Sequence, residues 1–284
     1  MKTLTPRDLH ESFPAHVIRN HLLTPAAVRE GLHEIEIALD RPVSSIEPGQ
    51  CVGLVVRGPH PFGNDYHFRL YSIMQHTAGR IELLVKRCFY IDEVNGQEYP
   101  GIASHFLCDS RAGDRLDLLG PFDRPFPLPP DDSATIVMIG MGTGIAPFRS
   151  YLRALKERYS KYRGIIRLFY GSRSGLEVPY LNDPGDFLQY YDRETFESIQ
   201  AVASIPAGYA HARVAQSLAR SVAERAGEIL SLIERPNSYL FLAGLALLDE
   251  HLEETFAKIC NSQQAWQALK SKMQREDRYQ EVLY

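Results

Sequence analysis

The sequence predicts two domains in succession, an antiparallel β-barrel or sandwich followed by an α/β domain built on a parallel sheet. Three observations carry this reading. Up to about residue 120, short β-branched and apolar runs alternate with turn pairs such as Pro-Gly, Gly-Pro and Asn-Gly. Next comes a connector, PFDRPFPLPPDD (121–132), with five prolines and no helical period. Beyond it the rhythm changes to strand, then helix, repeated, which is the pattern of a parallel sheet with helices on its faces.

In chain order, Cys51–Val56, His67–Ile73 and Arg80–Val85 are the clearest strands of the first domain, assigned to residues 1–128. The second domain, 129–284, opens with the apolar strand Thr135–Ile139 and a glycine turn. An amphipathic run follows to about Tyr159, then a strand Ile165–Tyr170, a helical run Val214–Ile233 and a strand Ser238–Leu242. No internal repeat or low-complexity segment interrupts the pattern.

Composition narrows the function. The chain has 284 residues with 44% hydrophobic residues, enough to give each domain a core. Its 31 basic and 35 acidic residues leave a formal charge of −4 without long runs of either sign, so nucleic acid is not the expected partner. The four cysteines (Cys51, Cys88, Cys108, Cys260) form no CxxC pair, and the ten histidines show no ligand spacing, so no metal site is expected. The N-terminal segment has no apolar signal region, and no run of 18 apolar residues occurs, so the expectation is a cytoplasmic chain with reduced thiols that does not span a membrane.

Two motifs carry chemistry. Gly140-Met-Gly142-Thr143-Gly144-Ile-Ala-Pro147-Phe-Arg-Ser follows a strand and opens a helix. Its glycines let the backbone approach a ligand, and the N–H groups of the helix start face an anion, for which pyrophosphate is the natural occupant. Pro147 fits the first helical turn, where a missing N–H costs nothing. In Arg69-Leu70-Tyr71-Ser72, strand alternation puts Arg69 and Tyr71 on one face and Leu70 and Ser72 on the other. An arginine to pair with diphosphate, a tyrosine to stack and a hydroxyl to hydrogen-bond a redox-active nitrogen suit a flavin.

Together with Pro48-Gly-Gln50, Val85-Lys86-Arg87, Gly101-Ile102-Ala103-Ser104-His-Phe-Leu-Cys108-Asp, Ala243-Gly244-Leu245 and the terminal Tyr284, these stretches resemble the plant-type ferredoxin–NADP reductase family along nearly the whole chain. The resemblance implies a six-stranded FAD-binding barrel and a Rossmann-like five-stranded parallel sheet that binds the nicotinamide nucleotide. It gives Arg69 to the FAD diphosphate, Tyr71 to one face of the flavin ring and Ser72 to the N5 region, with Leu70 in the same motif. Val85 and Lys86, with Arg87 nearby, would line the adenosine side, and Gly101, Ile102, Ala103 and Ser104 would close over the diphosphate. Gly142, Thr143, Gly144, Pro147, Gly244 and Leu245 would hold the nicotinamide nucleotide. Tyr284 would stack on the other ring face and act as a gate, with Ser72, Tyr71 and Tyr284 the catalytic set.

Two positions depart from the family pattern. Ala243 stands where the family has a cysteine near the nicotinamide, and Val282 where it has a glutamate two residues before the terminal aromatic. Glu281 is adjacent, but in an extended tail it points to the opposite face from Val282. The expectation is slower flavin reduction or a different acceptor. The family's Ser-Arg pair for the 2′-phosphate is here Ser204-Ile205, while Arg173-Ser174 and Arg213 resemble residues that bind this phosphate in bacterial members. NADPH is therefore expected, with NADH as the alternative.

His105 is read as structural, and the basic residues Lys156, Arg158, Lys161 and Arg163 as a solvated helix face, with docking of an acidic carrier as the alternative. The expected function is electron exchange between NADPH and a one-electron carrier, ferredoxin or flavodoxin, by a monomer. The alternatives are the reductase component of an oxygenase and a weakly active flavin- or nucleotide-binding regulatory or assembly module.

Overall fold

The structure is a computed structural model describing residues 11–41, 43, 46–60, 65–92, 95–122, 126–173, 191, 194–203 and 210–284. It divides into two units, Met1–Pro125 and Phe126–Tyr284.

The first unit is a closed antiparallel barrel with strand order β1-β2-β5-β4-β3-β8. Its strands are β1 (Phe13–Leu22), β2 (Leu32–Leu39), β3 (Cys51–Arg57), β4 (Tyr66–Thr77), β5 (Arg80–Lys86) and β8 (Arg115–Phe122). A separate hairpin of β6 (Phe89–Ile91) and β7 (Glu98–Pro100) precedes helix α1 (Ile102–Asp109). Closure resolves the choice between barrel and sandwich and leaves no open sheet edge. Val17, Ile35, Ile37, Val52, Leu54, Ile81, Leu83, Leu116 and Leu118 fill the interior, against which Ala103 and Leu107 of α1 pack. β4 carries a register shift between Ile73 and Gln75, directly after Ser72, where such a bulge bends the strand.

The second unit is a five-stranded parallel sheet, order β11-β10-β9-β12-β13. Its strands are β9 (Thr135–Met141), β10 (Ile166–Ser172), β11 (Phe196–Val202), β12 (Ser238–Gly244) and β13 (Tyr279–Leu283). β9 and β12 are buried along their whole length, which explains their continuous apolar sequences: strands covered on both faces have no polar side to show.

On one face, Val137, Ile139, Leu240 and Leu242 pack with helices α3 (Ala210–Glu224), α4 (Ala226–Ile233) and α5 (Leu247–Ile259). On the other, Phe241 stacks on Phe126 at 4.7 Å and meets Tyr151 of helix α2 (Ile145–Arg158) edge-on at 4.9 Å. Helix α6 (Gln263–Arg275) follows, started by the hydroxyl of Ser262 accepting from the Ala265 amide.

The helical run expected from Val214 to Ile233 is two helices, because Arg225 leaves helical geometry between them. Its guanidinium donates to Glu228 of the next helix and to Glu197 of β11. These partners are distant in sequence or depend on the break itself, so helical periodicity could not signal it.

Candidate functional site

Strand order in the second unit reverses between β9 and β12. In open α/β sheets the crevice at the carboxyl ends of such a pair is where ligands bind. The glycine turn stands at that point. A Cβ on Gly144 would lie 2.2 Å from the Ala243 carbonyl oxygen, and one on Gly140 would lie 2.6 Å from the Phe148 ring. These two glycines thus let the turn seat directly on β12. Gly142 differs, since its φ is +57° and a Cβ there would meet nothing within 4 Å, so its requirement is conformational and its outer side is open.

Helix α2 starts from this turn with Gly144 at its N-cap, no capping side chain and no acidic residue in its first turn. Its first N–H groups and positive dipole end suit an anion. Pro147 is buried within that first turn, and Lys156 and Arg158 in the last turn complement the other end of the dipole.

Tyr284 closes on the same turn. Its phenol hydrogen-bonds Thr143 Oγ1, its amide donates to Gly244 O at 3.0 Å, and its carbonyl accepts from the Ala246 amide at 3.2 Å. The residue as a whole remains 44% exposed. Gly244, at φ +139°, ends β12 with no room for a side chain beside Met141, and Leu245 packs against the core below.

Arg173 follows the end of β10 and Arg213 lies exposed near the start of α3. These elements are packed together: a Cβ on Gly171 would come within 2.9 Å of Val214. Both arginines therefore stand at the carboxyl edge of the sheet. Ser174, Ser204 and Ile205 lie outside the described residues.

Ala243 and Val282 are register partners between β12 and β13, and both are buried. Glu281 is exposed and accepts a hydrogen bond from the Tyr279 hydroxyl at 3.0 Å, two residues away on the same face. Alternation therefore keeps its carboxylate off the face that Val282 shares with Ala243.

In the first unit, Arg69 and Tyr71 stand opposite Leu54 and Val52, whereas Ser72 stands opposite Cys51 and Leu70 opposite Gly53. Cys51 Sγ lies 3.6 Å from Ser72 Oγ. Arg69 and Leu70 are exposed, and burial pushes the Tyr71 phenol well above its usual pKa.

Gly101 caps α1 without a side chain, and the first turn holds no acid, so this helix also presents open N–H groups. A Cβ on Gly101 would crowd Ser104 Oγ at 2.8 Å and Cys88 O at 3.1 Å. The Ser104 hydroxyl is engaged within the fold, donating to Gly101 O and accepting from the Cys88 amide. What Ser104 offers a ligand is its backbone.

The neighbouring cations are committed. Lys86 pairs with Glu30 at 3.1 Å and Arg87 with Asp109 at 2.5 Å, where the guanidinium holds the carboxyl below its ordinary range. Val85 belongs to the barrel core, so only its backbone can face a ligand, and Ile102 packs at the edge of that core. His105 hydrogen-bonds Gly101 O through Nδ1 and meets the Phe89 ring edge-on. Arg163 clamps Asp132 through two hydrogen bonds, while Lys156, Arg158 and Lys161 are exposed.

Sequence reasoning missed one participant in the turn, Tyr170, whose hydroxyl donates to Gly142 O at 2.6 Å. A tyrosine in the largely buried strand IRLFYGS was the available signal, because a buried phenol needs a hydrogen-bond partner. No group of three or more metal-ligating side chains occurs among the described residues, and no helix there is long and apolar enough to cross a membrane.

Residues 138–249 match the family model described as an oxidoreductase NAD-binding domain. The chain is 29% identical over 246 residues to the cyanelle ferredoxin–NADP reductase of Cyanophora paradoxa, covering 83% of this chain and 67% of the relative. It is 28% identical to the ferredoxin–NADP reductase of a Synechocystis strain, with 83% and 59% covered. Its match to leaf isozyme 2 from Oryza sativa subsp. indica is 30% identical, with 72% and 58% covered. The aligned region thus spans between 58% and 67% of the length of these relatives. Among solved structures, the ferredoxin–NADP+ reductase of Plasmodium falciparum superposes with a TM-score of 0.78 at 19% identity, covering 100% of this chain and 99% of that one. A structure of that enzyme with 2′P-AMP matches with a TM-score of 0.70 at 19% identity, with 97% of each chain covered.

Proposed function

Because this chain belongs to the plant-type ferredoxin–NADP reductase family, we propose that it is an FAD-dependent oxidoreductase exchanging electrons between NADPH and a one-electron carrier, ferredoxin or flavodoxin. The observation that carries the proposal is the glycine turn at the sheet's switch point, with its open Gly142 and an uncapped helix start behind it. FAD, when bound, accepts a hydride from NADPH and releases electrons one at a time.

The first unit has a donor set that fits a flavin dinucleotide. The exposed Arg69 and the open N–H groups at the start of α1 suit the diphosphate. Tyr71 supplies an aromatic face and Ser72 a hydroxyl at the bulge of β4. Lys86 and Arg87, held by Glu30 and Asp109, shape the neighbouring wall more than they add charge.

In the second unit, the N-terminus of α2 holds the pyrophosphate of the nicotinamide nucleotide, and Arg173 and Arg213 at the sheet edge take the 2′-phosphate. That pairing supports NADPH over NADH. Ferredoxin as partner is supported by the names of the relatives. The reading includes a monomer working in a reducing compartment, in keeping with four cysteines that form no disulfide. Among the described residues nothing favours the oxygenase-component or regulatory readings.

The test is anaerobic rapid mixing of the flavin-loaded protein with NADPH and with NADH, following flavin absorbance, then transfer to ferredoxin. Bleaching that is faster with NADPH supports the reading. Bound flavin that neither nucleotide reduces would overturn it.

A further inference from the structure

We propose that Tyr170 is a positioning residue for the nucleotide pyrophosphate, acting through the orientation of one peptide group in the glycine turn. The inference rests on the nucleotide-binding reading of that turn. Tyr170 stands on β10 between Gly140 of β9 and Gln200 of β11. The ring is buried, and its hydroxyl donates to Gly142 O at 2.6 Å. The same carbonyl accepts from the Ile145 amide, so both of its lone pairs are engaged by the fold.

In a planar trans peptide the carbonyl of one residue and the N–H of the next point in opposite directions. Holding Gly142 O inward by two donors therefore turns the Thr143 N–H outward. Thr143 carries its hydroxyl to the Tyr284 phenol at this turn, and a Cβ on Gly142 would meet nothing within 4 Å. An outward N–H beside an open glycine is what an incoming phosphate oxygen needs.

The restraint matters because Gly142, already at φ +57°, has the conformational freedom to let this peptide rotate. Rotation would aim a carbonyl at the anion in place of an amide. Without the phenol, the carbonyl keeps the Ile145 amide, a donor that also serves Thr143 O, and its restraint is weaker. Tyr170 thus preorganises the donor without touching the ligand, and its loss should appear in binding of the pyrophosphate half alone.

The experiment compares wild type with Tyr170→Phe, which keeps the ring and removes only the hydroxyl. Titration calorimetry is run with NADP+ and separately with adenosine 2′-monophosphate, which carries the 2′-phosphate but no pyrophosphate. The expected result is an NADP+ Kd raised by about 5- to 10-fold, the loss of one hydrogen bond of about 1 kcal/mol, with the fragment's Kd unchanged. Steady-state kinetics should show the same rise in KM for NADPH with kcat kept within about twofold. Unchanged NADP+ affinity would overturn the proposal, as would equal weakening of both ligands, the mark of a general packing role. Wild-type protein that binds neither ligand would overturn the nucleotide reading and this proposal with it.

Discussion

Ala243 and Val282 are cross-strand neighbours on β12 and β13, buried side by side at the carboxyl end of the sheet. The two positions therefore form one apolar patch, and Glu281, tied to Tyr279, lies off it. In a parallel ladder such partners stand about 4.8 Å apart, close enough to couple. Val282→Glu alone should destabilise the second unit by about 1–3 kcal/mol, because it buries a carboxyl in an apolar setting. With Ala243→Cys beside it, the double variant should depart from additivity by at least about 0.5 kcal/mol. Urea denaturation of the four proteins measures this, and rapid mixing with NADPH should show faster flavin reduction in the double variant than in wild type. No gain in rate would mean that the patch does not limit flavin reduction.

Gly144 and Gly142 should fail in different ways when changed to alanine. At Gly144 the new methyl would sit 2.2 Å from a backbone oxygen of β12, which cannot move aside as a flexible side chain would. The expected loss is about 3 kcal/mol or more of stability, together with nucleotide binding. At Gly142 there is space, and the cost is that of placing alanine at positive φ, about 1 kcal/mol. Gly142→Ala should therefore fold with a modestly lowered melting temperature and weakened NADP+ binding. Equal destabilisation by both substitutions would contradict this division of roles.

These contrasts mark where the sequence was legible. The runs Arg80–Val85 and Thr135–Ile139, within the strands Arg80–Lys86 and Thr135–Met141, were visible because burial on one face or both leaves period-two or continuous apolar runs. The glycine turn was visible because three glycines between a strand and an amphipathic run leave few other structures. Hidden were the features made by partners distant in sequence. The contact of Gly144 with Ala243 and the register that joins Ala243 to Val282 require the sheet order. The capture of Lys86 by Glu30 requires the barrel, and the Arg225 break requires Glu197 on β11. Local pattern cannot carry such information.

Removing the tail tyrosine should tighten nucleotide binding. Tyr284 occupies the Thr143 hydroxyl and is tied to Gly244 and Ala246, so a nucleotide bound at the turn as proposed would compete with it. Deleting Tyr284 removes that competition, and NADP+ affinity should rise about 5-fold, the equivalent of one hydrogen bond. Tyr284→Phe, which loses only the bond to Thr143, should give a smaller rise. Calorimetric titration of the two variants orders the effects. Weaker binding in the deletion variant would show that the tail supports the nucleotide and does not compete with it.

The stability of the first unit should fall as pH drops from 7 towards 5.5, through two histidines. Burial holds the His33 pKa below its ordinary value of 6.5, and the Arg87 guanidinium pushes the same way, with Asp109 opposing. Its Nδ1–H donates to Asn20 Oδ1 at 2.8 Å, while the Asn20 amide donates to the carbonyls of Leu107, Cys108 and Ser110 at the end of α1. His67 is lowered as well, by burial and then by Arg69 and His60. In the unfolded chain both rings take a proton near pH 6.5, whereas the fold keeps them neutral to lower pH. Their contribution is thus complete above 6.5 and is lost as pH falls through that value towards the folded pKa of each ring. Asp109, also lowered, adds pH dependence only below 3.8, outside this window. Melting curves from pH 7.5 to 5.5 should show a declining midpoint for wild type, a shallower decline for His33→Gln, and the shallowest for His33→Gln with His67→Gln. A slope unchanged by both substitutions would assign the acid sensitivity to other groups.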